Sequence, residues 1–185
     1  MKPLINYIEN FVKLDQPSID ALYQLAETGT YAKGSHVLEA GQRCNKIWFI
    51  VKGMVRKYQV HDGREITAWI HTENDTFTSL ESYARNTPSG EYLQACENTE
   101  VIFITRENSR KLAAFQVYIT FTNTMMEREF INVDTYTKAM NLLDARGKYE
   151  YLGKIAPEII KRAKLRDIAS IIGVTPETLS RIRRG

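Results

Sequence analysis

The run from Leu165 to Arg184, LRDIASIIGVTPETLSRIRR, sets side chains that can bond bases and phosphates on a framework of spaced apolar residues. Leu165, Ile168, Ala169 and Ile172 share one helix face, with Ala169 small where two helices must cross closely. Gly173 supplies the positive φ of a sharp turn, and Val174 buries between the helices. Thr175 reads as an N-cap, Pro176 as the first helical residue, and Glu177 and Thr178 as the rest of the first turn. Leu179 and Ile182 anchor this second helix on the first. Thr178, Ser180, Arg181 and Arg184 are left on the outer side. The pattern is that of a helix-turn-helix whose second helix enters a DNA major groove. Arg181 can donate two hydrogen bonds to guanine O6 and N7, and Glu177 can accept one from a cytosine amino group. Thr175, Thr178, Ser180 and the helix start at Pro176 can hold phosphates. Simpler roles are also open: a phosphate contact for Arg181, and a helix-dipole partner for Glu177.

Charge is distributed to match. The chain has 185 residues and a formal net charge of +3. Residues 146–185 carry ten Lys/Arg against four acids, a balance of +6, so residues 1–145 stand at −3. A basic module on a mildly acidic body is the electrostatic footprint of nucleic-acid binding, although a basic segment can also be a solvated face.

Several other chemistries find no support. The two cysteines, Cys44 and Cys96, are far apart and lack the CxxC and histidine spacing of a zinc or iron–sulfur site, so they read as buried or half-buried thiols. His36, His61 and His71 lack metal-ligand spacing and read as surface or edge residues, and no metal or cofactor is assigned. GxSxG, Walker and HExxH motifs are absent, so an enzyme is not expected; a cupin-like enzyme would need a His/Glu metal cluster. The N-terminal MKPLINYIENFVKLD interrupts its apolar residues with Glu9 and Asp15 and lacks the apolar core and small-residue cleavage site of a signal peptide. No run approaches a membrane span, so the expected location is the cytoplasm.

The segments that must position the C-terminal module differ in texture. Residues 4–28 read as short helices, with Ser18 after Pro17 as an N-cap. From Thr30 to about Arg106, β-branched and aromatic runs alternate with turn residues: Ile47 to Val51, Val55 to Val60, Ile66 to Ile70 and Val101 to Ile104. Asp62-Gly63 marks a hairpin, and the whole reads as a sandwich or barrel. From about Ser109 to Leu143 the period is helical. Leu112, Ile119, Met126, Val133 and Met140 stand seven apart with no Pro or Gly between, which predicts one helix of about 25–30 residues. Such a seam packs on a partner helix in a dimer, or on the chain's own core in a monomer.

With these residues in view, the chain resembles the Crp/Fnr family of bacterial regulators over nearly its whole length. YAKGSHVLEAGQRCNKIWFIVKGMVRKY, with Gly34, Gly41 and Gly53, is similar to the family's cyclic-nucleotide-binding β-roll, and IASIIGVTPETLSRIRR to its recognition motif. The resemblance implies an α+β fold. Residues 1–108 would form the roll, a double-stranded jelly roll that senses an effector, and residues 109–143 the dimerisation helix. Residues 144–185 would form the DNA-binding domain, a helix-turn-helix without a full wing because the sequence stops at Gly185. It also implies a homodimer on a two-fold-symmetric DNA site, with RNA polymerase a candidate further partner. Family members that bind cyclic AMP carry a Gly-Glu pair and an Arg-Ser or Arg-Thr pair. Here those positions read Thr78-Ser79 and approximately Ser89-Gly90, so an effector other than cyclic AMP is expected. The pocket candidates are Phe77, Thr78, Ser79, Leu80, Glu81, Arg85, Ser89 and Gly90. The alternative function is a ligand-sensing module of the same type with weak or lost DNA binding.

Overall fold

The computed structural model describes residues 1–184; Gly185, the last residue of the expected DNA-binding domain, lies outside the described residues. The strand-forming runs pair into two antiparallel sheets of four strands each. One sheet contains β1 (Ala26–Tyr31), β3 (Lys46–Lys52), β6 (Thr76–Phe77) and β8 (Thr99–Thr105), in the order β1-β8-β3-β6. The other contains β2 (His36–Leu38), β4 (Val55–His61), β5 (Arg64–His71) and β7 (Tyr92–Ala95), in the order β2-β7-β4-β5.

Side-chain alternation explains why β3 is an unbroken apolar run. Trp48 and Ile50 point between the sheets with Val55, Leu93, Val101 and Phe103. Phe49 points the other way, against a helical layer with Ile102 and Ile104. A strand buried on both faces needs apolar residues at successive positions. The β4–β5 turn is the predicted two-residue hairpin: Asp62 has φ +49° and Gly63 φ +73°, the left-handed pair that matches strand twist. Gly53, between β3 and β4, has φ +105°, and a Cβ there would sit 2.8 Å from Thr99 Cα.

The helical layer begins with α1 (Lys2–Glu9) and α2 (Gln16–Leu25). The cap of α2 is Asp15, whose side chain accepts from the Ser18 N–H at 2.9 Å, and not Ser18, which is buried inside the helix. An Asp two residues before Pro17 was the better cap, because its carboxylate reaches the free amide three residues on. A short α3 (Leu80–Arg85) follows β6, and α4 (Arg106–Leu112) follows β8.

The single helix expected from about Ser109 is divided. α4 ends at Leu112, Ala113 and Ala114 make a turn, and α5 (Gln116–Leu142) begins after an extended Phe115. The side chains of Phe115 and Leu112 pack into the core beside α1 and α2, and Ser109 and Tyr118 hydrogen-bond across the bend at 3.2 Å. Core packing of two large apolar residues breaks the helix without Pro or Gly. α5 is 27 residues long, within the expected range.

The C-terminal bundle is α6 (Ala145–Ile155), α7 (Pro157–Arg162), α8 (Leu165–Ile171) and α9 (Pro176–Ile182). Asp144 caps α6 by accepting from Gly147 N–H at 2.8 Å, and Pro157 opens α7. Leu152, Ile159, Ile168, Ala169, Ile172 and Leu179 form its core together with Met54 and Ile70 of the β-sandwich. The architecture is the expected α+β arrangement: a roll of two sheets, a long helix and a C-terminal helical module.

Candidate nucleic-acid interface

α8 ends on Gly173, whose φ is +70°. Val174 N–H bonds Ala169 O at 2.9 Å and Gly173 N–H bonds Ser170 O at 3.1 Å, the paired bonds of a left-handed helix stop. Thr175 then caps α9, accepting from Thr178 N–H at 3.2 Å, with Pro176 at the helix start. Leu179 is fully buried against α8. The burial of that one side chain orients the rest of α9. Thr175, Pro176, Glu177, Arg181 and Arg184 are exposed, while Thr178 and Ser180 are half-buried.

The exposed groups are already organised. The Arg181 guanidinium lies 3.4 Å from Thr178 Oγ1, and Thr175 Oγ1 lies 3.2 Å from the same atom. The backbone N–H of Glu177, then the Thr175 hydroxyl and Arg181, hold the Glu177 carboxyl below its ordinary range. A carboxylate and a guanidinium four residues apart on one exposed helix face can bond base edges. At the α9 start Pro176 has no N–H and the Thr178 N–H is taken by the Thr175 cap, so the groups that can bond a phosphate there are the Thr175 and Thr178 hydroxyls.

The long helix presents two faces. Tyr118, Phe121 and Met125 pack inward on the roll, and Tyr136 and Met140 pack toward the C-terminal bundle. Beside these, on the neighbouring face, Met126 is 62% exposed, Phe130 77% and Val133 61%. Ile119 is half-buried. Leu112 does not join this line: it is 1% exposed in α4, within the core.

The effector-pocket candidates separate into two groups. Phe77, Ser79 and Ser89 are buried, with Phe77 stacked on Trp48 at 5.4 Å and the two serine hydroxyls bonded at 2.9 Å. Thr78 is half-buried and donates to Lys46 O at 2.9 Å. Leu80, Glu81, Arg85 and Gly90 are exposed, and Arg85 pairs with Glu81 at 2.9 Å on the outside of α3. His71, expected at a surface or edge, is half-buried and stacked on Phe77 at 5.5 Å. Burial and the nearby Lys57 push its pKa down to about 3. The Trp48 indole N–H is buried without a partner.

Sequence reasoning missed the polar contacts that tie the bundle to the roll. Arg56 of β4 bonds Asp167 of α8, and Arg162 of α7 bonds Glu73 and Glu97. These partners lie 65 to 111 residues apart, and no local pattern marks them. The one hint is Asp167 itself, an acid between the apolar positions Leu165 and Ile168 of a basic module.

Residues 28–114 match the family model of the cyclic nucleotide-binding domain. Among solved structures, FixK2 from Bradyrhizobium japonicum superposes with a TM-score of 0.68 at 22% identity, covering 86% of this chain and 83% of that one. A CooA variant from Carboxydothermus hydrogenoformans gives 0.69 at 16% identity, covering 97% and 82%. The chain has the Crp/Fnr fold. A Crp/Fnr-family transcriptional regulator from Eubacterium rectale gives 0.69 at 18% identity, covering 97% of this chain and 86% of that one. No curated protein matches the sequence. In Crp/Fnr terms, the two sheets are the roll, α5 is the long helix that follows it, and α6–α9 are the C-terminal module. Among the described residues, no helix is long and apolar enough to cross a membrane, and no group of His, Cys, Asp and Glu could hold a metal ion.

Proposed function

We propose that this chain is a sequence-specific, DNA-binding transcription regulator of the Crp/Fnr type, not an enzyme. It acts in the cytoplasm as a homodimer, with an effector sensed in the roll. The observation that carries this reading is the capped α8–Gly173–α9 unit, which turns Glu177 and Arg181 outward from a buried Leu179. The +6 balance of residues 146–185 supplies the phosphate attraction. The exposed line Met126, Phe130 and Val133 supports a two-fold partner on α5, which would set two α9 helices on a palindromic site. RNA polymerase is a candidate further partner. Thr175, Pro176, Thr178, Ser180 and Arg184 would contact the backbone, and Glu177 and Arg181 the bases.

The effector is not cyclic AMP in this reading. Ser79 and Ser89 bond each other, and Arg85 is paired with Glu81 on the outside of α3, so Arg85 is not placed to neutralise a cyclic phosphate. The test is selection of bound sequences from random DNA, followed by titration over a range of salt. Enrichment of two inverted half-sites about one helical turn apart, with affinity falling steeply with salt, is the expected result. Failure to enrich any inverted repeat would leave only the sensing module with lost DNA binding.

A further inference from the structure

The module α6–α9 meets the roll on the outer face of the sheet that contains β4 and β7. Side chains alternate across that sheet. Val55 and Leu93 point into the roll, while their neighbours Arg56 and Gln94, paired across the strands, point out toward α8. Arg56 is 5% exposed, and all three nitrogens of its guanidinium donate a hydrogen bond. Nε and Nη2 donate to Gln94 Oε1 at 2.9 and 2.7 Å, Nη2 donates to Glu65 Oε2 at 2.7 Å, and Nη1 donates to Asp167 Oδ1 at 3.2 Å. Asp167 is 4% exposed and also accepts from Thr67 Oγ1 at 3.0 Å. One turn along α8, Ser170 Oγ donates to Thr67 O at 3.0 Å.

A buried ion pair is a poor source of net stability, because desolvation of both charges offsets most of their attraction. What it supplies is direction. A planar guanidinium held by three acceptors admits one orientation, whereas apolar packing alone tolerates sliding. α8 passes to α9 through a short turn and shares the buried Leu179 with it, so the angle of α8 is also the angle of Glu177 and Arg181.

We infer that Arg56 and Asp167 are positioning residues that set the angle of α9 against the roll, and that changes on the inner face of β4 and β7 reach the DNA-facing residues through them. The consequence for DNA rests on the proposed function; the joint itself does not. Val55 and Leu93, which line the roll, are each one residue from an atom of the joint. A shift of β4 against β7 would move the Gln94 acceptor relative to the guanidinium and tilt α8. In a two-fold dimer that tilt occurs twice, and it alters the separation of the two α9 helices.

The test uses the full chain with Asp167→Asn, Arg56→Met and the double variant R56M/D167L, which replaces the pair by apolar side chains. Two measurements are made. In the first, spin labels at Asp62→Cys on the β4–β5 turn and Arg183→Cys after α9, in a Cys96→Ser background, report a distance distribution between roll and module. Labelled chains are diluted into unlabelled ones so that each distance lies within one chain. One narrow distribution is expected for the parent and a broadened, shifted one for Asp167→Asn and the double variant. The second measurement is binding to the selected palindrome and to versions with one or two base pairs added or removed between half-sites. The parent should discriminate against altered spacing by about tenfold or more, and the double variant should lose most of that discrimination. Should the single variants fail to fold, the double variant decides alone. Unchanged distances in the folded variants would overturn the joint. Changed distances with unchanged spacing preference would overturn its role in DNA reading. If the parent binds no palindrome, the proposed function fails while the distances still decide the joint.

Discussion

Phe130→Ala should weaken self-association of the chain by a factor that follows from its exposure. Phe130 is 77% exposed on α5, with Met126 one turn before it and Val133 three residues after it on the same face. Full burial of a phenylalanine side chain stabilises by about 1.5–3 kcal/mol, and about three-quarters of that surface is still open, which leaves roughly 1–2 kcal/mol per copy. Two-fold symmetry counts the residue twice, giving roughly 2–4 kcal/mol, or about a 30- to 700-fold rise in the dimer Kd. Sedimentation velocity over a concentration series measures that constant for parent and variant. Circular dichroism checks that both are folded, as they should be, because the side chain touches little of its own chain. The α5-mediated dimer is refuted if the parent sediments at its monomer mass of 21.3 kDa throughout the micromolar range. It is refuted equally if Phe130→Ala shifts Kd by less than about fivefold.

Three further outcomes are expected. Arg181→Ala should leave thermal melting unchanged, since the side chain is exposed, but should cost about 1–3 kcal/mol of DNA binding and relax preference at one base pair per half-site, as read by competition against single-base variants. Asp75→Asn tests a half-buried carboxyl whose desolvation raises its pKa from 3.8 to about 6. Because the folded state holds that proton more tightly than the unfolded one, the parent loses stability as pH rises from about 3.8 through 6, and no such loss occurs in the variant. The amide oxygen can still accept the Thr72 N–H bond, so Asp75→Asn should melt about 2–8 °C above the parent at pH 7.5 and level with it at pH 4. An equal difference at both pH values would rule this out. Gly53→Ala forces a Cβ to within 2.8 Å of the Thr99 Cα at φ +105°, so its urea midpoint should fall by an amount equivalent to at least about 2 kcal/mol.

The elements that were legible in sequence are those governed by neighbouring residues. Asp62-Gly63 specifies its hairpin because both residues tolerate positive φ. Gly173, Thr175 and Pro176 specify the stop and start of two helices because each satisfies or removes a backbone group within three or four positions. The apolar run Ile47 to Val51 shows a strand buried on both faces. What escaped was decided across distance. The bend between α4 and α5 arises because Leu112 and Phe115 both find the core of α1 and α2, and this moved Leu112 off the heptad line that the seven-residue spacing suggested. His71 is drawn inward by its stack on Phe77 from the facing sheet. The Arg56–Asp167 pair spans 111 positions, and within its own local window Arg56 reads as one more solvated charge.

The bend at Ala113–Phe115 makes α5 a lever with a fulcrum at one end. Ser109 and Tyr118 brace the fulcrum, and the opposite end carries α6 and everything after it. A helix of 27 residues is about 40 Å long, so a rotation of about 5° at the bend carries its far end through about 3 Å. Contacts near Ile119 would therefore hold almost still while those near Met140 travel. At that end Tyr136 packs on Trp69 of β5 and donates to Ile171 O at 2.7 Å, so the travel is passed to the sheet and to α8 together. Small packing changes around Ala113 and Ala114, which touch neither the roll interior nor DNA, would accordingly be felt most at the distant end of the arm.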